Sequence, residues 1–514
     1  MTLDLLERLQ AATNDEERAW FVTELALAAL DPAVREAVWA AAIPHWFDAD
    51  FLAALLARPV AEVGPIHAQL TGLSFVERFP ERGHDIHERT RALLLNRLWR
   101  DDAARFRLYS GRAADHCAGQ DQAATGWCVE TIYHLLIADP EQGASALQNQ
   151  GWTWHNSPHF AYDKVEMLAR VGREHADASR LSPRGLGWTQ FWEALLDSIY
   201  SRLHSARERF QQIRGDPKDD PYLAADVAFR LGDVHLQLAD YPAARAAYDA
   251  ARPLYAAIGD RLGEANCIYS LGDVSLGLAD YPAARTAYAT ARPLYAAIGD
   301  RLGEANCIKA LGHVSLAEED YDAARAAFED AANRYHGLGA RNDEAGAFSR
   351  LADIFSDQKL YREAANMLSR AIEIIPDYAM WYRNRANHYI NAKDFSAAAA
   401  DLARAAELQP DHPYLALRRG DLALKQGQYA AAAGHYQQFI TGLPKVNFGH
   451  FGLGLALICL GQATEGMAEI RQALALTYAP REVKGFGEEL AELIAAEPAR
   501  AGLAEALALV EARR

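Results

Sequence analysis

The side chains best suited to chemistry in this chain are its histidines and cysteines, so their spacing is the first test. His84-Asp85-x-His87 is the most ligand-like cluster. On a strand Asp85 and His87 would share one face; on a helix His84 and His87 would. A zinc site needs four converging ligands, and no second such cluster accompanies this one. Cys117 follows His116, and Cys128 precedes His134 by six residues, so each could be drawn as a thiol–imidazole pair. Adjacent helical residues point about 100° apart, and neither pair carries a catalytic signature of the Q-A-C-x-G kind. Buried packing is the expected role of these cysteines. No G-x-S-x-G elbow, H-E-x-x-H helix or G-x-x-x-x-G-K-[ST] phosphate loop occurs. Trp127, Trp152, Trp154, Trp188 and Trp192 form an aromatic-rich stretch that reads as core, any exposed part being a surface for a partner. No catalytic, cofactor or metal site is expected.

Composition narrows the class. The chain has 514 residues, 50% hydrophobic and 24% charged, which are globular proportions. Its net charge of −17 argues against coating nucleic acid or an anionic membrane, since phosphate neutralisation needs exposed Lys and Arg. Five scattered cysteines without a CxxC pair suit a reduced, cytoplasmic compartment. The opening segment is acidic and amphipathic, unlike a signal or transit peptide, and no apolar run would cross a bilayer. Arginine greatly outnumbers lysine, the first of which is Lys164, a hint of a GC-rich bacterial genome.

Internal repetition is the dominant signal. Residues 231–270 recur at 271–310 with roughly four-fifths identity, and a looser copy begins at 311. The period of 40 then shortens to 34, placing Tyr361, Phe395 and Tyr429 in register, and likewise Pro376, Pro410 and Pro444. Leu231-Gly232, Leu271-Gly272 and Leu311-Gly312 recur, as do small-x3-large pairs such as Ala244/Tyr248, Ala284/Tyr288, Ala324/Phe328 and Ala432/Tyr436. Residues four apart share a helix face, so the small one admits a neighbouring helix and the large one fills the gap. Asp240 and Asp280 stand where helix N-caps belong, with Pro242 and Pro282 in the first turn. Pro253 and Pro293 are expected to kink or end their helices.

These residues resemble the tetratricopeptide repeat, a helix–turn–helix unit, over about 225–480. The 40-residue copies resemble a variant with a longer second helix. The resemblance implies that the first helix of each unit lines a groove. Its groove positions fall on Asn266, Tyr269 and Asp273; Asn306, Lys309 and His313; Arg350 and Asp353; Arg383, Asn384 and Asn387; and Tyr414, Arg418 and Asp421. Asparagine is a poor helix former, so its recurrence there points to hydrogen bonding with a bound peptide backbone. Arg383, Asn384, Asn387 and Arg418 partly resemble a clamp for a peptide C-terminal carboxylate, although lysine is missing from the expected places.

Residues 32–110 read as three helices, a hairpin and a long helix from about 87. The string LSFVERF…GHDIHERTRALLLNRL looks like the winged-helix domain of STAND-type signalling NTPases, and WCVETIYHLLIADPEQGASAL resembles their helical arm. The missing phosphate loop departs from that pattern, so the chain reads as a regulatory half without the ATPase core. The segment that would enter a DNA groove, AEVGPIHAQLTG, lacks Arg, Lys and Asn and offers only His67 and Gln69.

The expected fold is all-α apart from a small β-wing. It runs from an N-terminal helix (1–31) through a winged-helix-like domain (32–110) and a helical arm (111–220). A right-handed superhelix of about seven tetratricopeptide repeats (221–480) and capping helices (481–514) follow. The expected function is non-catalytic: an adaptor that captures a partner protein or peptide in the groove. It would serve as a sensor or regulatory subunit of a bacterial signalling or defence system with its effector on another chain, reached through the winged helix and arm. The alternative is a winged-helix DNA-binding regulator with a repeat sensor. The near-identical pair 231–310 also lends itself to self-association by exchange of repeats.

Overall fold

Aspartate placed one or two residues before proline starts helix after helix. Asp31, Asp139, Asp220, Asp240 and Asp280 each accept a hydrogen bond from a backbone N–H of the first turn, with Pro tolerated at the opening positions. The protein, a computed structural model, is described over residues 14–156, 161–213, 219–477 and 479–513. Among these residues, 27 helices and one two-stranded hairpin form the regular structure, in two compact units, Met1–Gly277 and Leu278–Arg514.

The first unit opens with α1 (Asp15–Ala28), α2 (Pro32–Ala41), α3 (Ala49–Leu56) and α4 (Val60–Leu70). Residues 1–13 of the expected N-terminal helix lie outside the described residues. Strands β1 (Val76–Phe79) and β2 (Gly83–Ile86) then pair antiparallel, and α5 (Glu88–Asp101) follows. Phe47, Phe51, Leu55, Val63, Leu70 and Leu94 close this core. Six more helices come next: α6 (Ala103–Ala118), α7 (Thr125–Ala138), α8 (Pro140–His155), α9 (Tyr162–Asp177), α10 (Pro183–Ile199) and α11 (Leu203–Gln212). Trp188 and Trp192 are fully buried among them. Gly151 is required there, because a Cβ would sit 2.1 Å from the Trp192 ring.

A partly buried charge cluster joins these two regions. His45, in the loop after α2, places Nδ1 2.8 Å from Glu130 of α7 and Nε2 2.9 Å from Glu174 of α9. Arg91 of α5 donates to Glu174 at 2.8 Å and to Tyr133 Oη at 2.9 Å. Burial alone would push the His45 imidazole down, but the Glu130 carboxylate and the two hydrogen bonds outweigh it and hold its pKa above the usual value. Burial likewise opposes the charge on Glu130, yet His45 and His134 keep it well below the ordinary carboxylate range.

The first unit ends with α12 (Pro221–Gln237), α13 (Tyr241–Ile258) and α14 (Arg261–Gly277). Asp220 ties this stretch to α10: it caps α12 through Leu223 N–H, accepts from Trp188 Nε1 at 2.8 Å, and pairs with Arg184. The second unit begins with α15 (Tyr281–Ile298) and continues in helix pairs. These are α16 (Arg301–Ala317) with α17 (Tyr321–Leu338), α18 (Arg341–Asp357) with α19 (Tyr361–Ile374), and α20 (Ala379–Asn391) with α21 (Phe395–Leu408). The last two are α22 (Pro413–Lys425) with α23 (Tyr429–Gly442) and α24 (Asn447–Cys459) with α25 (Ala463–Ala475). Two further helices, α26 (Pro480–Ala496) and α27 (Leu503–Glu511), complete it.

The small-x3-large spacing works through close approach. Gly232 of α12 lies under the Tyr248 ring of α13, where a Cβ would come within 2.6 Å. Two expectations need correction. In the 40-residue copies both helices lengthen: α16 and α17 have 17 and 18 residues, against 13 and 14 for α20 and α21. Pro253 and Pro293 do not end their helices, which run on to left-handed Gly259 and Gly299. Both prolines are exposed, as are Asp249 and Ala289 four residues earlier, so the carbonyls they release can turn to water.

Candidate functional site

Within the second unit, the expected groove residues on the first helices of the pairs divide into three groups. Some are structural. Asn306 accepts from Tyr335 Oη at 2.6 Å, which ties α16 to α17. Asp421 accepts from Tyr436 Oη at 2.9 Å in the same way. Arg383 is buried, donating to Gln409 at 3.0 Å and approaching His412, so it is not presented to a ligand. In the first unit, Asn266, Tyr269 and Asp273 sit half-buried on one face of α14.

The second group surrounds a cavity of about 500 Å³. Lys309, His313 and Arg350 line it together with Asn342, Asp343, Tyr378, Met380 and Trp381. Lys309 reaches Asp343 at 3.1 Å, and Arg350 reaches Asp353 at 3.0 Å, which leaves a wall of paired charges. Burial, with help from Arg350 and Lys309, pushes the His313 imidazole down to about 4, so it is neutral at physiological pH. Tyr378 and Met380, at the start of α20, are 44% and 38% exposed. Gly346 forms part of the cavity lining, and nothing lies within 4 Å of where its Cβ would be.

The third group meets the end of the chain. Asn387, Tyr414, Arg418 and Asp421 line a cavity of about 420 Å³ together with Glu488, Glu489 and Glu492 of α26. Asn384 is half-buried beside them in the sequence of α20.

Sequence reasoning placed Tyr414 in the groove but missed the apolar ladder to which it belongs. Met380, Tyr414 and Phe448 recur every 34 residues and are each more than a third exposed. The signal was present as a bulky apolar residue at the second position of three successive first helices. Counted back by the same period, the ladder's next rung is Gly346, where the first cavity opens.

The other candidate chemistry disperses. Cys117 and Cys128 are buried, and burial pushes both thiols up. His134 turns to Glu130, 3.2 Å away. His84 is held by backbone bonds to Phe47, its ring against His67. Among the described residues, no group of three or more His, Cys, Asp and Glu could hold a metal ion, and no helix is long and apolar enough to cross a membrane. Several arginines near the hairpin are engaged internally: Arg82 stacks on Trp46 at 4.2 Å, Arg97 lies over Trp20, and Arg91 joins the charge cluster.

Residues 223–297 match one tetratricopeptide-repeat profile, and 349–413, 383–447 and 417–477 match another. These segments are tetratricopeptide repeats. Such repeats are protein–protein interaction scaffolds and are generally non-catalytic. Among solved structures, the apo form of RapI aligns at a TM-score of 0.51 and 12% identity, over 66% of this chain and 98% of that one. A STAND signal-transduction ATPase with a tetratricopeptide repeat sensor from Pyrococcus horikoshii aligns at a TM-score of 0.48 and 12% identity. That alignment covers 90% of this chain and 65% of the other, so this chain spans less than two-thirds of its length. A tetratricopeptide repeat protein from Parabacteroides merdae aligns at a TM-score of 0.36 and 13% identity, over 48% of this chain and 98% of that one. No curated protein sequence matches. The likeness to RapI is one of fold, and the fold class is an all-α tetratricopeptide superhelix.

Proposed function

We propose that the groove face of the second unit captures a segment of a partner protein, with one apolar side chain of that partner entering the cavity over Gly346. The observation that carries this reading is the cavity itself. It lies on expected groove positions, is walled by exposed Tyr378 and Met380, and carries Lys309, His313 and Arg350 on its rim. Apolar lining with a few convergent polar groups is what an anchor side chain needs. The N-terminal helices and hairpin, which resemble a winged helix and arm, would pass groove occupancy to a second protein. The chain then acts as a non-catalytic sensor or adaptor in signalling, and this last step rests on family resemblance.

Affinity purification from the native host tests the reading. A stoichiometric partner should be recovered with the unaltered chain and lost with Gly346→Trp, which fills the cavity from an open helix face. Recovery of the same partner with Gly346→Trp at unchanged stoichiometry would move the interface elsewhere.

A further inference from the structure

The helix α26 does more than cap the last repeat. One face does the capping: Val483, Phe486 and Leu490 are buried, and the Phe486 ring stacks on Phe451 of α24 at 3.9 Å. A cap needs no contact beyond the pair it covers. Yet Glu488 reaches Lys359 at 3.1 Å, on the turn between α18 and α19, three helix pairs upstream of α24 and α25. Arg481 pairs with Asp357 beside it. On α22, Lys425 meets Glu492 at 3.1 Å and Glu489 at 4.0 Å. The helix thus lies along the groove face, and its carboxylates share a cavity with Tyr414 and Arg418.

We propose that this part of the groove is a docking surface for an acidic amphipathic helix of a partner protein, and that α26 is its intramolecular occupant, which the partner displaces. The surface offers Lys359 and Lys425, with Arg418 paired to Asp421 at 2.8 Å, and is apolar at Phe448 and Phe451. The occupant is complementary, with Glu488, Glu489 and Glu492 beside Phe486 and Leu490. The contacts to Lys359 and Lys425 are side-chain ion pairs at partly exposed positions, which contribute little each, so the buried face of Val483, Phe486 and Leu490 carries most of the docking. A competing helix of the same pattern gains both the pairs and the apolar burial, so exchange depends on the difference in affinity between the two helices.

The inference rests on the groove being a recognition surface, but its test does not pass through the cavity over Gly346. A fluorescein-labelled peptide of residues 480–496 is titrated against the full chain, against Glu488→Lys with Glu492→Lys, and against that pair combined with Lys359→Glu and Lys425→Glu. Hydrogen exchange of residues 480–496 is followed in parallel. The unaltered chain should bind weakly because its site is filled. The first variant, which sets two lysines against Lys359 and Lys425, should loosen α26 and bind the peptide at least tenfold more tightly. The charge-swapped variant should re-dock α26, restore its protection and bind weakly again. Unchanged exchange of residues 480–496 in the first variant, or fast exchange without tighter peptide binding, would overturn the proposal. If that variant loses helicity, Lys359→Ala, on an exposed turn, replaces it: exchange of 480–496 must then rise, and an unchanged rate refutes the role of the pair. Gly346→Trp should leave every peptide result unaltered, so loss of a natural partner in that variant alone concerns only the proposed function.

Discussion

The hydroxyl of Tyr335 donates to the amide oxygen of Asn306 at 2.6 Å, joining the second helix of a repeat to its first. The same joint recurs as Tyr255 to Asp226 at 2.6 Å, and a related one links Tyr248 to Asp233 at 2.8 Å. At these positions the polar residue on the groove-bearing helix is spoken for by its own repeat.

Removing either partner should destabilise the repeat without touching recognition. Tyr335→Phe is expected to cost about 1 kcal/mol, and Asn306→Ala a similar amount. Chemical denaturation of the single and double variants checks this: the double variant should lose less than the sum, because the two act as one pair. Full additivity would show that the bond contributes nothing.

Gly346→Leu should bind the partner poorly while folding at least as well. Its Cβ meets open space, and glycine inside a helix is less favourable than an ordinary helix former by up to about 1 kcal/mol. A rise in melting temperature together with lost partner capture is the expected result; a clear fall in melting temperature would contradict the open geometry.

Acid should loosen the first unit through His175. Its ring is fully buried, stacked on Tyr133 at 4.0 Å, and burial pushes its pKa down to about 3. A histidine held neutral in the fold stabilises fully above its unfolded value near 6.5, and that contribution fades as pH falls. Between pH 6.5 and 5 the loss is roughly 2 kcal/mol. His134, also held down by burial, adds in the same direction, while His45, held up, stabilises below 6.5 and loses its contribution as pH rises. Nine of the ten tryptophans lie in this unit, so tryptophan fluorescence during denaturation reports on it. His175→Gln should flatten the acid slope, and an equal slope in that variant would exclude the role.

Glu130→Ala should be among the most damaging changes. It removes a carboxylate 2% exposed that pairs with His45 and lies beside His134. Breaking a buried pair from one side typically costs about 3–5 kcal/mol. Denaturation followed by tryptophan fluorescence should shift accordingly, and a change under 1 kcal/mol would mean that solvent screens the cluster.

Lys393→Gly should stabilise the second unit by roughly 0.5–1 kcal/mol, because its φ of 60° is left-handed and costly for a residue with a Cβ. Lys359, at 61° on the equivalent turn, shares the strain but carries the contact to Glu488. Lys359→Gly should therefore loosen α26 and speed its exchange even as it relaxes the turn. Equal exchange of residues 480–496 in the two variants would refute the distinction.

The sequence carries the repeat fold plainly because register survives substitution: Tyr361, Phe395 and Tyr429 keep their spacing through changes of residue type. The groove was legible only in part. Periodicity locates a helix face, but it does not say that Tyr335 of the next helix already occupies Asn306. Met380 and Phe448 were hidden because an apolar residue in a helix ordinarily reads as core. The pairing of Lys359 with Glu488 spans 129 residues, and no local pattern encodes it. Pro253 misled because helix breaking is judged from the residue alone, whereas its cost depends on whether the freed carbonyl faces water.

The change in helix length has a consequence for selectivity. Four fewer residues shorten a helix by about 6 Å. In the second unit the second helices shorten at α19, of 14 residues, and the first helices at α20, of 13, whose start lines the cavity over Gly346. A segment captured along the first helices would pass from 17-residue helices to 13-residue ones at this point, so length and register would add to residue chemistry in deciding what binds.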